Sequence, residues 1–142
     1  MSDQRFLHFI EAQEGTYEQA FAELQRGRKS SHWMWFIFPQ LEGLGASEMS
    51  KRYAIRDVAE AGRYLEHDIL GKRLIEISKL VLTLNDRTAN QIFGSPDDMK
   101  LRSSMTLFSL VPGADPVFGK VLDKFYGGWR DPRTLSMVNP EL

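Results

Sequence analysis

The amino-acid sequence predicts an all-α fold, a compact bundle of about seven to nine short helices formed by residues 1–142 as a single domain. Three observations support this prediction. Residues 68–84 carry apolar side chains at a helical period of about 3.6 residues. Residues that cap helices recur along the chain, and no alternating apolar and polar run lies between hairpin turns. The length suits one domain, and no internal repeat or linker divides it.

The helices predicted in the first half of the chain each begin at a capping residue. These predicted caps are Thr16, Ser30 or Ser31, Ser47 and Asp57. The first and the last have Gln or Glu three positions later, which is the capping-box pattern. Gly27 is the expected end of the first of these helices. Pro39 is expected to end or kink the second, which is rich in tryptophan and phenylalanine.

The second half of the chain contains the clearest helical pattern, over residues 68–84. Thr88 with Gln91 predicts a short helix that closes at Gly94. Three later helices share one kind of start, in which a capping residue precedes proline. Proline at the first helical position loses no needed hydrogen bond. These starts are Ser95-Pro96, Asp115-Pro116 and Asp131-Pro132.

Composition excludes several kinds of protein. The chain has no cysteine, which excludes disulfides, thiolate nucleophiles and cysteine-bound metals. No glycine-rich phosphate loop and no metal-ligand spacing of histidines occurs, so we predict neither a cofactor nor a metal. The N-terminus lacks the basic region of a signal peptide, and no stretch approaches the roughly 18 apolar residues of a membrane span. We therefore expect a cytoplasmic protein without membrane association.

The net charge is −1, which argues against broad nonspecific binding of nucleic acid. The charge is unevenly placed, however. Six basic and two acidic residues lie between Arg26 and Arg56, so this segment carries +4 and the rest of the chain −5. The positive segment contains the most unusual stretch of the sequence, RKSSHWMWFIFPQLEGLG, at residues 28–45.

The polar half of this stretch predicts a binding site for a small anion. Lys29, Ser30, Ser31 and His32 lie at or just before the predicted start of the Trp-rich helix. Free backbone N–H groups and the positive end of the helix dipole attract anions there. A nucleotide, a sugar phosphate or an ADP-ribose-like group is the expected ligand, and His32 is the candidate acid or base if the protein is an enzyme. The alternative is that Ser31 only caps the helix and Lys29 is solvated.

Further residues are candidates for the same site. They are Trp33 and Trp35 in the Trp-rich helix, Arg52 and Tyr53 in the next helix, and Ser103 and Ser104 in a later one. A buried indole N–H needs a partner, and arginine binds phosphate in bidentate fashion. Each has a structural alternative: the tryptophans belong to the core, Arg52 is a surface charge, and the hydroxyls of Ser103 or Thr106 bond to a carbonyl one turn earlier.

Several motifs occur in a fixed order: KSSHWMWFIFPQLEGLG, then LGKRL at 70–74, IFG at 92–94 and a block from Asp97 to Phe108. In these motifs the sequence resembles the bacterial helical family called domain of unknown function 1810, which is sometimes labelled calpastatin. The resemblance covers nearly the whole chain. It implies a compact all-α domain and assigns no catalytic residue. The calpastatin label implies a disordered inhibitor repeat, which three tryptophans and closely spaced helix caps do not fit.

A second hypothesis is a protein-interaction module without catalytic activity. Trp129, Phe125 and Tyr126 lie near the Gly127-Gly128 break and are the candidate anchors, because aromatic residues are common interface hot spots. RNA binding is a weaker third hypothesis, since no recognisable nucleic-acid module is present. The sequence does not indicate an oligomeric state.

Overall fold

The computed structural model describes residues 6–139 and contains ten helices within them, seven of which have at least seven residues. The helices are α1 (Leu7–Gln13), α2 (Thr16–Gln25), α3 (Met34–Ile37), α4 (Glu48–Arg52), α5 (Val58–Glu66), α6 (Leu70–Thr83), α7 (Ala89–Phe93), α8 (Asp97–Ser109), α9 (Val117–Tyr126) and α10 (Pro132–Val138). The predicted all-α fold is confirmed. In the described residues the only β-type pairing is a single bridge between Leu41 and Ile55.

The helix α8 is the centre of the fold. It packs against α5, α7, α9 and α10, and every residue from Leu101 to Phe108 except Arg102 is buried. Because neighbouring helices cover all of its sides, α8 has no single apolar stripe, and its central position is not visible in the sequence pattern. This burial brings the hydroxyl groups of Ser103, Ser104 and Thr106 into the interior.

The helix α6 has the amphipathic pattern that the sequence predicts. It packs against α2, α5 and α9 and buries Leu70, Leu74, Ile77 and Val81. Gly71 lies where α6 crosses the end of α5, and a Cβ atom there would overlap the carbonyl oxygen of Leu65. No helix within residues 6–139 is both long enough and apolar enough to cross a bilayer.

Four of the eight predicted helix caps are confirmed. Side-chain oxygens of Ser47, Asp57, Thr88 and Asp131 each accept a hydrogen bond from the backbone N–H three residues later. The predicted caps at Thr16, Ser95 and Asp115 are wrong. The N-cap positions there are Gly15, Pro96 and Pro116, and none of these helix starts has a side-chain cap.

The Trp-rich helix is much shorter than the sequence predicts. It covers only Met34–Ile37, and its N-cap is Trp33, without a side-chain cap. The prediction that Ser30 or Ser31 caps this helix is therefore wrong. Residues 28–33 form a loop instead, because the N–H groups of Ser30 and Ser31 donate to Glu23 of α2 and that of Lys29 donates to Ile92 of α7.

Candidate functional site

The loop before α3 surrounds the carboxylate of Glu23, a residue of α2 that is only 2% exposed. The backbone N–H groups of Ser30 and Ser31 donate to Glu23 Oε1 at 2.7 and 3.0 Å. Trp33 Nε1 donates to the same oxygen at 2.9 Å. Ser31 Oγ and Gln19 Nε2 donate to the other oxygen, Oε2. Residues that were predicted to bind an external anion therefore bind one from the chain itself.

These donors keep Glu23 ionised. Burial raises its pKa, but the hydrogen bonds from Ser31, Ser30 and Trp33 outweigh burial and lower the pKa from 4.5 to about 2. At neutral pH the loop thus holds a fixed negative charge. His32 lies in the same loop, is exposed, and has no side-chain hydrogen bond to another described residue.

Asp97, the first residue of α8, joins two motif blocks that are distant in the sequence. Its Oδ2 lies 2.8 Å from Lys29 Nζ, and its Oδ1 lies 3.7 Å from Lys100 Nζ. Each ammonium group also lies over an indole ring. Lys29 Nζ is 5.1 Å from the centroid of Trp33, and Lys100 Nζ is 5.4 Å from that of Trp35. We call these five residues the Asp97 cluster.

A pocket of about 410 Å³ opens beside Lys100, between α8, α10 and the segment after α3. We call it the α8 pocket. Its lining includes the charged residues Lys100, Arg102, Arg133 and Asp131, the hydroxyl of Ser103, and an apolar wall formed by Leu44, Pro96, Met99 and Pro132. Three cationic residues and one acidic residue give this lining a net charge of +2. A few polar groups on an apolar wall are typical of small-molecule sites.

Asp131 connects the α8 pocket to the start of α10. The residue is 6% exposed, and its Oδ2 is hydrogen-bonded by Ser103 Oγ at 3.0 Å and by both the N–H and the hydroxyl of Thr134. Its Oδ1 lies 3.5 Å from Arg102 Nη2. Arg102 Nε is buried and has no acceptor among the described residues. A guanidinium has five N–H donors, so Arg102 keeps donor capacity that Asp131 does not use.

Two hydroxyl groups of α8 lie against a backbone carbonyl one turn earlier, which is the structural alternative given for them in the sequence analysis. Ser103 Oγ lies 3.2 Å from the carbonyl oxygen of Met99, one turn earlier, and Thr106 Oγ1 donates to that of Arg102 at 2.8 Å. Ser104 is fully buried, and its hydroxyl has no partner among the described residues. Ser103 thus lines the α8 pocket, whereas Ser104 lies in the core.

Arg52 and Tyr53 lie outside the α8 pocket. Tyr53 is buried and stacks on His8 with ring centroids 5.6 Å apart. Arg52 is exposed, and its guanidinium lies 5.6 Å from the centroid of the Tyr53 ring. Burial, with the charge of Arg52 as a second cause, lowers the pKa of His8. The ten predicted ligand-binding residues are therefore divided among the loop before α3, the Asp97 cluster, the α8 pocket, the core and the surface around Arg52.

Sequence reasoning missed Glu23, Arg102 and Arg133 as site residues, and took Asp131 only as a cap. For Glu23 a signal was available. It lies three residues after Ala20 and one before Leu24, on the apolar face of α2, where an ionised carboxylate needs partners. In residues 6–139 no group of three or more histidine and carboxylate side chains could hold a metal ion.

Comparisons with known proteins agree with the resemblance of the motifs. Residues 3–138 match the model of the family described as Protein of unknown function (DUF1810). The chain is similar to the crystal structure of the conserved hypothetical protein Rv1873 from Mycobacterium tuberculosis, with 47% sequence identity and a TM-score of 0.92. That match covers 94% of this chain and 95% of the other. No curated protein matches. The chain belongs to the DUF1810 family of proteins of unknown function.

Proposed function

We propose that the protein binds a small anionic ligand in the α8 pocket. A nucleotide, a sugar phosphate or an ADP-ribose-like group is the ligand class. The observation that carries the proposal is the excess of cationic groups in a partly enclosed space. Lys100, Arg102 and Arg133 line the pocket together with a single carboxylate, that of Asp131.

The electrostatics of the pocket favour an anion. The side chains of Arg102 and Asp131 are only 13% and 9% exposed, so water screens their charges weakly. At an effective dielectric constant near 20, two unit charges 4 Å apart interact by about 4 kcal/mol. Asp131 satisfies Arg102 only in part, since their closest approach is 3.5 Å. Oxygen atoms of a phosphate or carboxylate would supply the acceptors that the guanidinium lacks.

The surroundings of the charges suit the organic part of such a ligand. Leu44, Met99 and Pro132 form the apolar wall. Trp35 is partly exposed and lies beneath the ammonium group of Lys100. The volume of about 410 Å³ falls in the usual range of small-molecule pockets. His32 is not part of the lining, so the proposal concerns binding and assigns no acid or base.

Calorimetric titration with a small set of ligands tests the proposal: inorganic phosphate, ribose 5-phosphate, AMP and ADP-ribose. Lys100→Met removes one charge and keeps the length of the side chain. A charge-assisted hydrogen bond contributes roughly 1.5–3 kcal/mol, so the affinity should fall at least about tenfold. Lys72→Met, which changes an exposed lysine of α6, is the control. Failure of all four ligands to bind, or equal binding by the two variants, would contradict the proposal.

A protein-interaction role is the second candidate, and one observation favours it. Trp129 is 75% exposed in the turn after α9, and an exposed indole of this kind is a typical interface anchor. The neighbouring Phe125 and Tyr126 are partly buried against the core, and Tyr126 Oη donates to the carbonyl oxygen of Asp98. Trp129→Ala should therefore abolish a stable interaction in a pull-down without lowering the Tm. A partner retained by the variant would count against this role.

A further inference from the structure

A larger cavity, of about 840 Å³, lies between the loop after α2 and residues 85–94. We call it the α7 cavity. It shares no lining residue with the α8 pocket. Its cationic lining residues are Arg28, Lys29 and Arg87, and Asp86 is the acidic one, which gives a net charge of +2. The cavity contains part of the positive segment that the sequence shows.

Backbone contacts fix the two loops that bear these cations. The N–H of Lys29 donates to the carbonyl oxygen of Ile92 at 2.7 Å. Gly27 has a positive φ of 84° and lies against the side chain of Arg87, because a Cβ atom at Gly27 would be 3.0 Å from Arg87 Nε. The side chain of Arg87 thus lies beside the residue that precedes Arg28.

The two arginines are the unneutralised charges of the α7 cavity. Lys29 forms an ion pair with Asp97 at 2.8 Å. Within residues 6–139 neither Arg28 nor Arg87 has a carboxylate within ion-pair distance. Like charges on neighbouring loops repel each other, and an anion between them would relieve that repulsion. Guanidinium groups bind phosphate through two parallel hydrogen bonds.

Two amide side chains add oriented donors. Asn85 Oδ1 accepts from Lys124 Nζ at 2.7 Å, and Gln91 Oε1 accepts from the N–H of Thr88 at 2.8 Å. With each oxygen engaged, the NH₂ group of each amide is left to donate. Two guanidinium groups and two NH₂ groups offer more donors than a single phosphate group requires.

From this arrangement we propose that the α7 cavity binds a small molecule carrying a diphosphate or longer polyphosphate. The donors come from both loops and outnumber what a single phosphate group requires, so two or three linked phosphates engage more of them than one phosphate does. The volume leaves space for an organic group attached to the phosphates. The proposal is independent of the one made for the α8 pocket.

Nuclear magnetic resonance titration of the ¹⁵N-labelled protein tests it, with pyrophosphate and tripolyphosphate as probes and phosphate as the comparison, all at constant ionic strength. Both probes should shift the backbone amides of residues 85–94 and bind at least tenfold more tightly than phosphate. Arg28→Gln and Arg87→Gln should each weaken binding about tenfold. Arg28 and Arg87 are both exposed, so both variants should fold.

A matched arginine variant is the control. Arg63→Gln, at an exposed arginine of α5, should leave pyrophosphate binding at residues 85–94 unchanged. Unshifted amides at 85–94, or unchanged binding in the double arginine variant, would overturn the proposal. Tighter binding of a single-stranded oligonucleotide than of tripolyphosphate would also overturn it, because the ligand would then be a nucleic-acid backbone.

Discussion

Replacement of Glu23 by glutamine tests how the loop before α3, residues 28–33, is held in place. The carboxylate accepts hydrogen bonds from the N–H groups of Ser30 and Ser31, from Ser31 Oγ, and from Trp33 Nε1. Glutamine has nearly the same shape, but it is neutral, and its NH₂ group cannot accept a hydrogen bond. At least one buried donor of the loop would lose its acceptor in the variant.

The size of the effect follows from the pKa of Glu23, which falls from 4.5 to about 2 on folding. Each unit corresponds to 1.36 kcal/mol, so ionised Glu23 contributes about 3 kcal/mol to the free energy of unfolding at neutral pH. The residue is 2% exposed, so solvent screening reduces this value little. Because the pKa is lowered in the folded state, the contribution is complete above pH 4.5 and is lost as the pH falls through about 2.

Urea denaturation at several pH values measures this effect. At pH 7 Glu23→Gln should lower the free energy of unfolding by about 3 kcal/mol, which corresponds to roughly 10 °C in Tm. The difference from the unmodified protein should shrink as the pH falls from 4.5 towards 2. Glu18→Gln, at an exposed position of the same helix, should have little effect. A loss below about 1 kcal/mol at pH 7, or a loss independent of pH, would refute the reasoning.

Two further predictions concern the packing of the helices. Asp131→Ala removes the cap of α10 and the counter-charge of nearly buried Arg102, so urea denaturation should show a loss of at least about 3 kcal/mol; a loss below 1 kcal/mol would contradict this role. Gly71→Ala should prevent the close contact of α6 with the carbonyl of Leu65 and lower the Tm severely. Gly119→Ala, in α9 where a Cβ atom meets nothing within 4 Å, should instead raise stability by about 0.5–1 kcal/mol; equal effects of the two glycine variants would contradict the reasoning.

The parts of the fold that were predicted correctly are those determined by interactions between residues that are close in the sequence. The helix α6 has one buried face, so its apolar period was visible, and the capping oxygens of Ser47, Asp57 and Thr88 act within three residues. The Trp-rich helix was predicted too long because the donors of Ser30 and Ser31 bind a carboxylate on another helix. The sequence pattern around Ser30 and Ser31 does not show a partner that lies on another helix.

The candidate site was predicted only in part, for the same reason. The motif blocks of Lys29 and Lys100 do meet, but through Asp97, which the sequence analysis named only as the first residue of a motif block. Arg102 became a candidate through its near-burial beside Asp131, and Arg133 through the position of α10 at the pocket. Their sequence neighbours do not reveal either property.

The resonance of the Arg102 Nε–H group offers the most direct test of anion binding in the α8 pocket. This N–H is buried, but it belongs to the guanidinium that lines the pocket, so an anion bound to the Nη groups should change its chemical shift. The account predicts that ADP-ribose, AMP or ribose 5-phosphate shifts this resonance to saturation, and that Lys100→Met weakens the response at least about tenfold. A resonance that stays unchanged when these ligands are in large excess would contradict the account.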